Sequence, residues 1–218
     1  MYSVTKSFGL NGLRGFAVAV EDDVSGGLPA FSIVGLPDSA VRESADRVRA
    51  AIKNLGFKFP DRRITVNLAP ADVRKTGPVY DLPLLLAVLT ASGQLEDVPE
   101  DAAFLGELSL TGALRPVAGV LPMALCAARC GIRKLYVPAR NAAEATLADG
   151  VTVYPVENVA QLLAHLRGET PIPPAERWQP TGETLPMPDF SEVMGQENVK
   201  RALEIAAAGG HNVLLVGS

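Results

Sequence analysis

Apolar and polar positions between residues 59 and 89 predict a buried strand followed by a buried helix. Apolar side chains occupy every second position of 64–68, which is typical of a strand with one face in the core. We expect the helix to begin at Asp81, whose carboxylate would cap the first turn, with Pro83 at a position that needs no backbone donor. Residues 82–89 leave almost no polar face, so this helix is expected inside the domain.

The pattern before this stretch predicts β-structure and then one amphipathic helix. Alternating apolar residues and a glycine-rich turn in 2–36 indicate antiparallel strands. Asp38 or Ser39 is the expected N-cap of the helix, and Gly56 is expected to end it. The apolar positions share one stripe at helical spacing, which comprises Val41, Ala45, Val48, Ile52 and Leu55.

Strands and helices alternate in the second half of the chain. This order, after a β-rich beginning, predicts an α+β or α/β fold in which helices pack on a mixed sheet. The predicted strands are 104–110, 113–117, 135–137 and 151–154, and the predicted helices are 119–130, a short alanine-rich helix capped by Asn141, and 159–166.

The composition changes near the end, which predicts three segments. We assign 1–167 to one domain and 168–189 to an extended linker, because the latter holds six of the 17 prolines. Residues 190–218 would begin a second domain, with a helix and then an apolar strand over 213–216. That domain would break off after Gly217, so the chain is expected to be truncated.

Composition and charge narrow the class of protein. An apolar fraction of 48% with 20% charged residues is typical of a globular chain. No apolar run reaches the roughly 20 residues of a membrane span, and the N-terminus lacks the pattern of a secretory signal. The two cysteines indicate no disulfide framework, and no cluster has metal-ligand spacing. We therefore expect a cytoplasmic protein with no membrane partner and no metal site.

The net charge of −4 conceals a basic segment at residues 40–75. This segment has nine Lys or Arg against four Asp or Glu, a net +5, which leaves −9 for the remainder. A local basic patch on an acidic protein favours a nucleic-acid partner, although a solvated helix face gives the same pattern. Few aromatic residues interleave the basic ones, which favours contact with a duplex or the backbone over base stacking. The candidate phosphate contacts are Arg42, Arg49, Lys53, Arg62, Arg63, Arg74 and Lys75.

Four segments carry a family resemblance: SFGLNGLRGFAVAVE, FSIVGLPDSAVRES, NLAPADVRKTGPVYDLPLLLAVL and FLGELSLTGALRPVAG. With them, the chain resembles the N-terminal part of the Mg-chelatase-like ComM/YifB family of bacterial AAA+ proteins. The resemblance implies a Lon-protease-like (ChlI-type) domain of the ribosomal-S5-domain-2-like fold, followed by the start of an AAA+ module. Gly217 and Ser218 would open its phosphate loop. No cofactor is expected in this fragment, whereas the full-length protein would bind ATP and Mg.

The same resemblance implies a hexameric ATP-driven helicase that promotes DNA branch migration in natural transformation or recombination. This fragment alone is not expected to be an enzyme, because the motor is missing from it. Two alternatives stay open. In one, the domain is an oligomerisation tier of the ring, where the basic patch contacts a neighbouring subunit and not DNA. In the other, which is the less favoured, it is a Ser-Lys peptidase of the Lon type.

The residues argue against the peptidase. In Lon-type enzymes the serine follows Gly-Pro before the central helix, and here Val79 follows Gly77-Pro78. The dyad lysine would stand at the start of the helix after Gly119, where this chain has Val120, Leu121 and Pro122. Covalent catalysis needs a nucleophile and a group that takes its proton, and both positions are aliphatic.

Overall fold

The computed structural model describes residues 1–96, 98–179 and 189–217, and the chain divides into two units, Met1–Trp178 and Gln179–Ser218. The strands are β1 (Tyr2–Asn11), β2 (Arg14–Ser25), β3 (Ala30–Val34), β4 (Arg63–Ala69), β5 (Ala102–Phe104), β6 (Glu107–Leu108), β7 (Leu114–Arg115), β8 (Lys134–Pro138) and β9 (Thr152–Val156). The helices are α1 (Ser39–Asn54), α2 (Asp81–Ala91), α3 (Val120–Arg129), α4 (Ala142–Ala145), α5 (Val159–Leu166) and α6 (Glu197–Gly209).

The first unit contains a mixed four-stranded sheet in the order β1-β2-β4-β3. β2 pairs antiparallel with both β1 and β4, whereas β3 pairs parallel with β4. The antiparallel prediction for 2–36 is therefore wrong for β3. A parallel pair needs a long crossover, and α1 supplies it between β3 and β4.

α1 follows its local signals closely. Asp38 is the N-cap, and its Oδ1 accepts the backbone N–H of Val41 at 2.8 Å. Such a side-chain acceptor satisfies one of the orphan donors of the first turn. The helix ends before Gly56, whose φ of 83° is costly for any residue with a Cβ. The apolar stripe faces α2 and the sheet, so the opposite side of α1 is left to solvent.

α2 is the centre of the core, as predicted, but Asp81 does not cap it. Every residue from Leu82 to Leu89 is buried, and the helix packs against β1, β2 and α1. Tyr80 is the N-cap, and a 3₁₀ turn precedes it. The Asp81 carboxylate instead accepts Arg47 Nε at 2.6 Å and Nη2 at 3.0 Å, and the backbone N–H of Leu108 at 3.0 Å. The carboxylate is therefore bound by an arginine of α1 and does not cap α2.

A second sheet is parallel, with strand order β5-β8-β9, and β6 and β7 form a separate hairpin. The predicted strand 104–110 is shorter than expected and divides into the end of β5 and β6. α3 and α5 lie within one or two residues of their predicted bounds. Asn141 precedes α4, but its side chain bonds both backbone groups of Val117 and leaves the helix uncapped.

β1 presents hydroxyl groups to the core in place of apolar side chains. Ser3 donates to the carbonyl of Ala87 at 2.8 Å, and Thr5 donates to that of Pro83 at 3.0 Å. Ser7 donates to the carbonyl of Phe104 at 2.9 Å. All three side chains are buried, so these bonds satisfy groups that would otherwise be costly to remove from water.

The predicted linker begins later than residue 168. Ile172 is buried, and the backbone N–H of Ala175 donates to the carbonyl of Val153 at 2.8 Å. The backbone N–H of Trp178 donates to the Thr146 hydroxyl at 3.0 Å. Residues 168–178 therefore pack as an extended segment on the first unit, in place of a free linker. Residues 180–188 of the predicted linker lie outside the described residues.

The second unit has a 3₁₀ turn at Phe190–Glu192 followed by α6. The turn carries a capping box, in which Asp189 and Glu192 exchange side-chain and backbone hydrogen bonds. The predicted strand over 213–216 is not observed, and these apolar side chains are exposed. A strand needs a hydrogen-bonded partner, and the described part of this unit contains only the turn and the helix.

Candidate nucleic-acid interface

The outer side of α1 carries a basic stripe of Arg42, Arg49 and Lys53. All three side chains are exposed, because the helix turns its opposite side to the core. They are separated by seven and four residues, so they share one face along about 16 Å of helix axis. The stripe is therefore placed as the sequence predicted.

The turn before β4 brings a fourth cation to this stripe. Arg62 is exposed, and together with Arg49 and Lys53 it lines a cleft of about 180 Å³. The remaining walls come from the start of β3 and the turn before β4, and they comprise Pro29, Ala30, Phe59, Pro60 and Asp61. We call this the basic cleft. Its basic side chains, Arg49, Lys53 and Arg62, are up to 13 positions apart in the sequence.

The exposed cations have no anionic partners within the described chain. Arg63 and Arg74 are also exposed, although neither lines the basic cleft. None of the six exposed candidates, Arg42, Arg49, Lys53, Arg62, Arg63 and Arg74, has a described carboxylate within 4.0 Å. Their charge is therefore not neutralised by close ion pairs and remains available to an external anion.

Lys75 does not belong to this surface. Its side chain is fully buried, and its Nζ donates to the carbonyl of Pro70. Its backbone is fixed on both sides, by the carbonyl of Leu36 and the N–H of Asp38. Burial lowers the pKa of this amine from its ordinary value. The prediction that Lys75 contacts phosphate is therefore wrong, because its buried amine is bound inside the fold.

Aromatic rings lie beside the basic cleft, which sequence reasoning missed. The Arg49 guanidinium carbon lies 5.0 Å from the ring centroid of Phe59, within the range of a cation–π contact. The ring of Phe31 on β3 lies 5.9 Å from that of Phe59. The alternation Phe57-Lys58-Phe59 was the available signal, but only the fold shows that Phe59 meets α1.

The two segments that carry the catalytic dyad in Lon-type enzymes line one cavity of about 470 Å³. Val79 contributes from the 3₁₀ turn, and Val117, Ala118 and Met123 contribute from around the start of α3. Thr76 supplies the one side-chain hydroxyl among the described lining residues, and neither Lys nor His is among them to take its proton. The remaining polar side chain, Glu107, is paired with Arg115 at 3.2 Å.

Comparisons with known proteins identify the relatives of this chain. A family model described as subunit ChlI of Mg-chelatase matches residues 20–141, and a second, described as magnesium chelatase, subunit ChlI, matches 189–218. YifB of Escherichia coli is 43% identical over 209 residues, which are 94% of this chain and 40% of that protein. The competence protein ComM of Haemophilus influenzae is 41% identical over 214 residues, 94% of this chain and 41% of ComM.

The chain belongs to the Mg-chelatase-like ComM/YifB family. It spans about two fifths of the length of these relatives. A more distant likeness is to the Lon protease of Mycolicibacterium smegmatis, at 29% identity over 173 residues, which are 74% of this chain and 22% of that enzyme. At the two positions expected for a Lon-type dyad, this ComM/YifB chain has Val79, which lines the 470 Å³ cavity, and the residues Val120, Leu121 and Pro122.

The expected nucleotide residues of this ComM/YifB chain are only partly described. Gly217 is exposed and follows residues 211–216, which form neither helix nor strand, and Ser218 lies outside the described residues. Their assignment to a phosphate loop stays a prediction. None of the helices in the described ranges is long and apolar enough to cross a membrane.

Proposed function

We propose that the first unit is a non-proteolytic, Lon-like domain that binds the DNA backbone, in a protein whose AAA+ motor follows it. The fold would be of the ribosomal-S5-domain-2-like type. The full-length protein would be a hexameric, ATP- and Mg-dependent helicase that promotes branch migration in the cytoplasm. The description of the Haemophilus influenzae relative as a competence protein favours a DNA partner.

One observation carries this proposal: six exposed cations without carboxylate partners, three of which converge on the basic cleft. Each cation that meets a DNA phosphate releases condensed counterions, which is the main source of sequence-independent affinity. The expected interaction is therefore backbone binding with strong salt dependence.

A salt series tests the proposal directly. The 218-residue chain would be titrated with duplex, single-stranded and four-way-junction DNA, and binding would be followed by fluorescence anisotropy. We expect log affinity to fall linearly with log salt concentration. Changing Arg42, Arg49 and Lys53 to Glu should reduce the slope by about three, since each lost phosphate contact removes about one unit.

A matched control separates local contacts from total charge. Arg133 is exposed on the other sheet, just before β8, and lies outside the basic cleft. Arg133→Glu should lower the affinity for DNA far less per charge than Arg49→Glu. Equal losses for both variants, or no DNA binding at low salt by the folded chain, would contradict the proposal.

A second candidate function is an assembly tier of the ring, and the outer face of the four-stranded sheet favours it. Tyr2 and Val4 on β1 expose apolar side chains, 65% and 42% accessible. They stand directly opposite Asp23 and Glu21 on β2. This face, apolar and acidic, complements the basic stripe of another copy. If this candidate is correct, the Arg42, Arg49 and Lys53 triple variant will dissociate oligomers in analytical ultracentrifugation without changing DNA affinity per protomer.

The peptidase is the third and least supported candidate. The aliphatic 470 Å³ cavity holds no nucleophile paired with a base among its described lining residues, so we expect no cleavage of a fluorogenic peptide mixture. Peptide cleavage that copurifies with the chain and is lost in the Thr76→Ala variant would instead support the peptidase candidate.

A further inference from the structure

We infer that the basic cleft is a discrete site for one phosphate group, in which Phe59 positions the guanidinium of Arg49. This inference rests on the proposed function and sharpens it, since it names the place where one backbone phosphate is held. It also assigns a role to an uncharged residue that charge patterning alone would never select.

The size and walls of the cleft suit a small anion. Its volume of about 180 Å³ is below the roughly 300 Å³ at which pockets for drug-sized ligands begin. Two guanidinium groups and one ammonium line it from different elements, Arg49 and Lys53 from α1 and Arg62 from the turn before β4. Donors that arrive from several directions match the tetrahedral oxygens of phosphate better than the planar pair of a carboxylate.

The contact with Phe59 restricts the arginine before any ligand arrives. Its guanidinium carbon lies over the ring, 5.0 Å from the centroid, and a contact through the face of the guanidinium leaves its five N–H donors free. Phe59 is itself held, because its ring packs against Phe31 and the hydrophobic core. Arg49 therefore gives up part of its rotamer freedom in the unliganded protein, which reduces the entropy lost when an anion binds.

The donors of the cleft are not used elsewhere. Within the described chain, the side chains of Arg49, Lys53 and Arg62 make no hydrogen bond and no ion pair, although Asp61 also lines the cleft. Arg47 on the same helix shows the contrast, since its donors are taken by Asp81, Ala40 and Ser44. An incoming phosphate would meet free donors and would not need to displace a protein partner.

Inorganic phosphate is the direct probe. It would be titrated into the 218-residue chain, and NMR would follow the arginine Nε–Hε groups and the Phe59 ring. We expect a saturable shift at Arg49, Arg62 and Phe59, and no saturable shift at the control Arg133. Non-saturating shifts of similar size at all exposed arginines would overturn the inference.

Two variants separate positioning from charge. Phe59→Leu keeps every charge, and Arg49→Lys keeps the charge but loses the flat stacking face. Each should weaken both phosphate and duplex DNA binding by about 3- to 10-fold, the range expected when one long side chain must be ordered on binding. The salt slope of DNA binding should stay unchanged in Phe59→Leu, because no phosphate contact is removed. Arg49 is exposed, so Arg49→Lys remains informative even if Phe59→Leu unfolds.

The outcomes distinguish this inference from the proposed function. If charge reversal abolishes DNA binding while Phe59→Leu and Arg49→Lys leave it unchanged, the DNA-binding proposal stands and the positioning role is wrong. If phosphate saturates the cleft but DNA does not bind at low salt, the cleft stands and the DNA-binding proposal is wrong.

Discussion

Asp81 and Asp22 are both fully buried carboxylates of the same core, and only one of them has partners. Asp81 accepts two hydrogen bonds from Arg47 and a third from the backbone of Leu108. Asp22 lies on β2 between inward-facing valines, and neither of its oxygens has a hydrogen-bond partner within the described chain. The two sites therefore show the same chemical group with and without compensation for the loss of water.

The neighbours of Asp22 explain its isolation. Ser3 stands directly opposite on β1, but its hydroxyl proton is donated to the carbonyl of Ala87. Burial, with a smaller contribution from the neighbouring charge of Asp23, raises the pKa of Asp22 to about 7. At Asp81 the converging donors compensate the carboxylate for the loss of water. Where the donors are used elsewhere, the group becomes protonated at a higher pH.

The largest expected effect is at the paired site. Asp81→Ala should lower the free energy of unfolding by about 3–5 kcal/mol, since it leaves Arg47 and the Leu108 N–H without their acceptor. Urea unfolding at pH 7 measures this. Replacing both members, Arg47→Met with Asp81→Leu, should cost less than the sum of the single changes. Additive single effects would show that the pair is not an energetic unit.

Asp22 should make stability depend on pH in the opposite way to a salt-bridged carboxylate. Its pKa is raised in the folded state, so the stabilisation is fully present below the unfolded value near 4 and is lost as pH rises to about 7. The shift corresponds to about 4 kcal/mol as an upper estimate. Asp22→Asn should abolish this loss in urea titrations between pH 4 and 8. The exposed control Asp46→Asn should retain it, and equal slopes for both variants would contradict the assignment.

Ser3 provides a smaller test of the same comparison. Ser3→Ala should destabilise the fold by about 1 kcal/mol, because the bond to the Ala87 carbonyl is lost. It should leave the pH dependence attributed to Asp22 unchanged, since Ser3 does not donate to that carboxylate. Thermal unfolding at pH 5 and pH 8 measures both. A change of slope would mean that Ser3 and Asp22 share a proton.

The smallest effect is expected at Glu43, the exposed carboxylate near Arg47. It lies 3.7 Å from Arg47 Nη1, and its side chain is 69% exposed. Glu43→Gln should change the free energy of unfolding by less than about 0.5 kcal/mol, because solvent screens such a pair. Urea unfolding of Glu43→Gln and Asp81→Ala under the same conditions compares the two losses of unfolding free energy. A loss comparable to that of Asp81→Ala would show that exposure does not separate the two partners of Arg47.

Sequence alone predicted those elements whose signals are local. The cap at Asp38, the stop at Gly56 and the apolar stripe of α1 all act within a few residues, and the helix forms as expected. The wholly apolar α2 is buried for the same reason, because no polar face allows another placement. The exposure of the basic stripe follows from the same helical periodicity, because its residues lie opposite the apolar stripe.

The wrong or missed predictions depend on how the folded chain packs and not on a local pattern. Asp81 is of a residue type that often caps helices, but its carboxylate accepts hydrogen bonds from Arg47, which lies 34 positions earlier in the sequence. Lys75 contributes to the net charge of the basic segment, but the fold buries its side chain. Its Nζ donates to the backbone carbonyl of Pro70. Phe59 gains its contact with Arg49 only when the turn before β4 folds against α1. Tertiary contacts of this kind leave no periodic signal in the chain.

The hydroxyl groups on β1 have a consequence for synthesis of the chain. Ser7 donates to a carbonyl 97 residues later, and Ser3 and Thr5 donate to carbonyls 84 and 78 residues later. β1 is thus polar on the face that it finally buries, and its acceptors on α2 and β5 leave the ribosome after it. At about 5–20 residues per second, β1 waits for several seconds before α2 and β5 arrive. Hydroxyl groups on that face can bond to water in the meantime, whereas apolar side chains there would form an exposed hydrophobic patch.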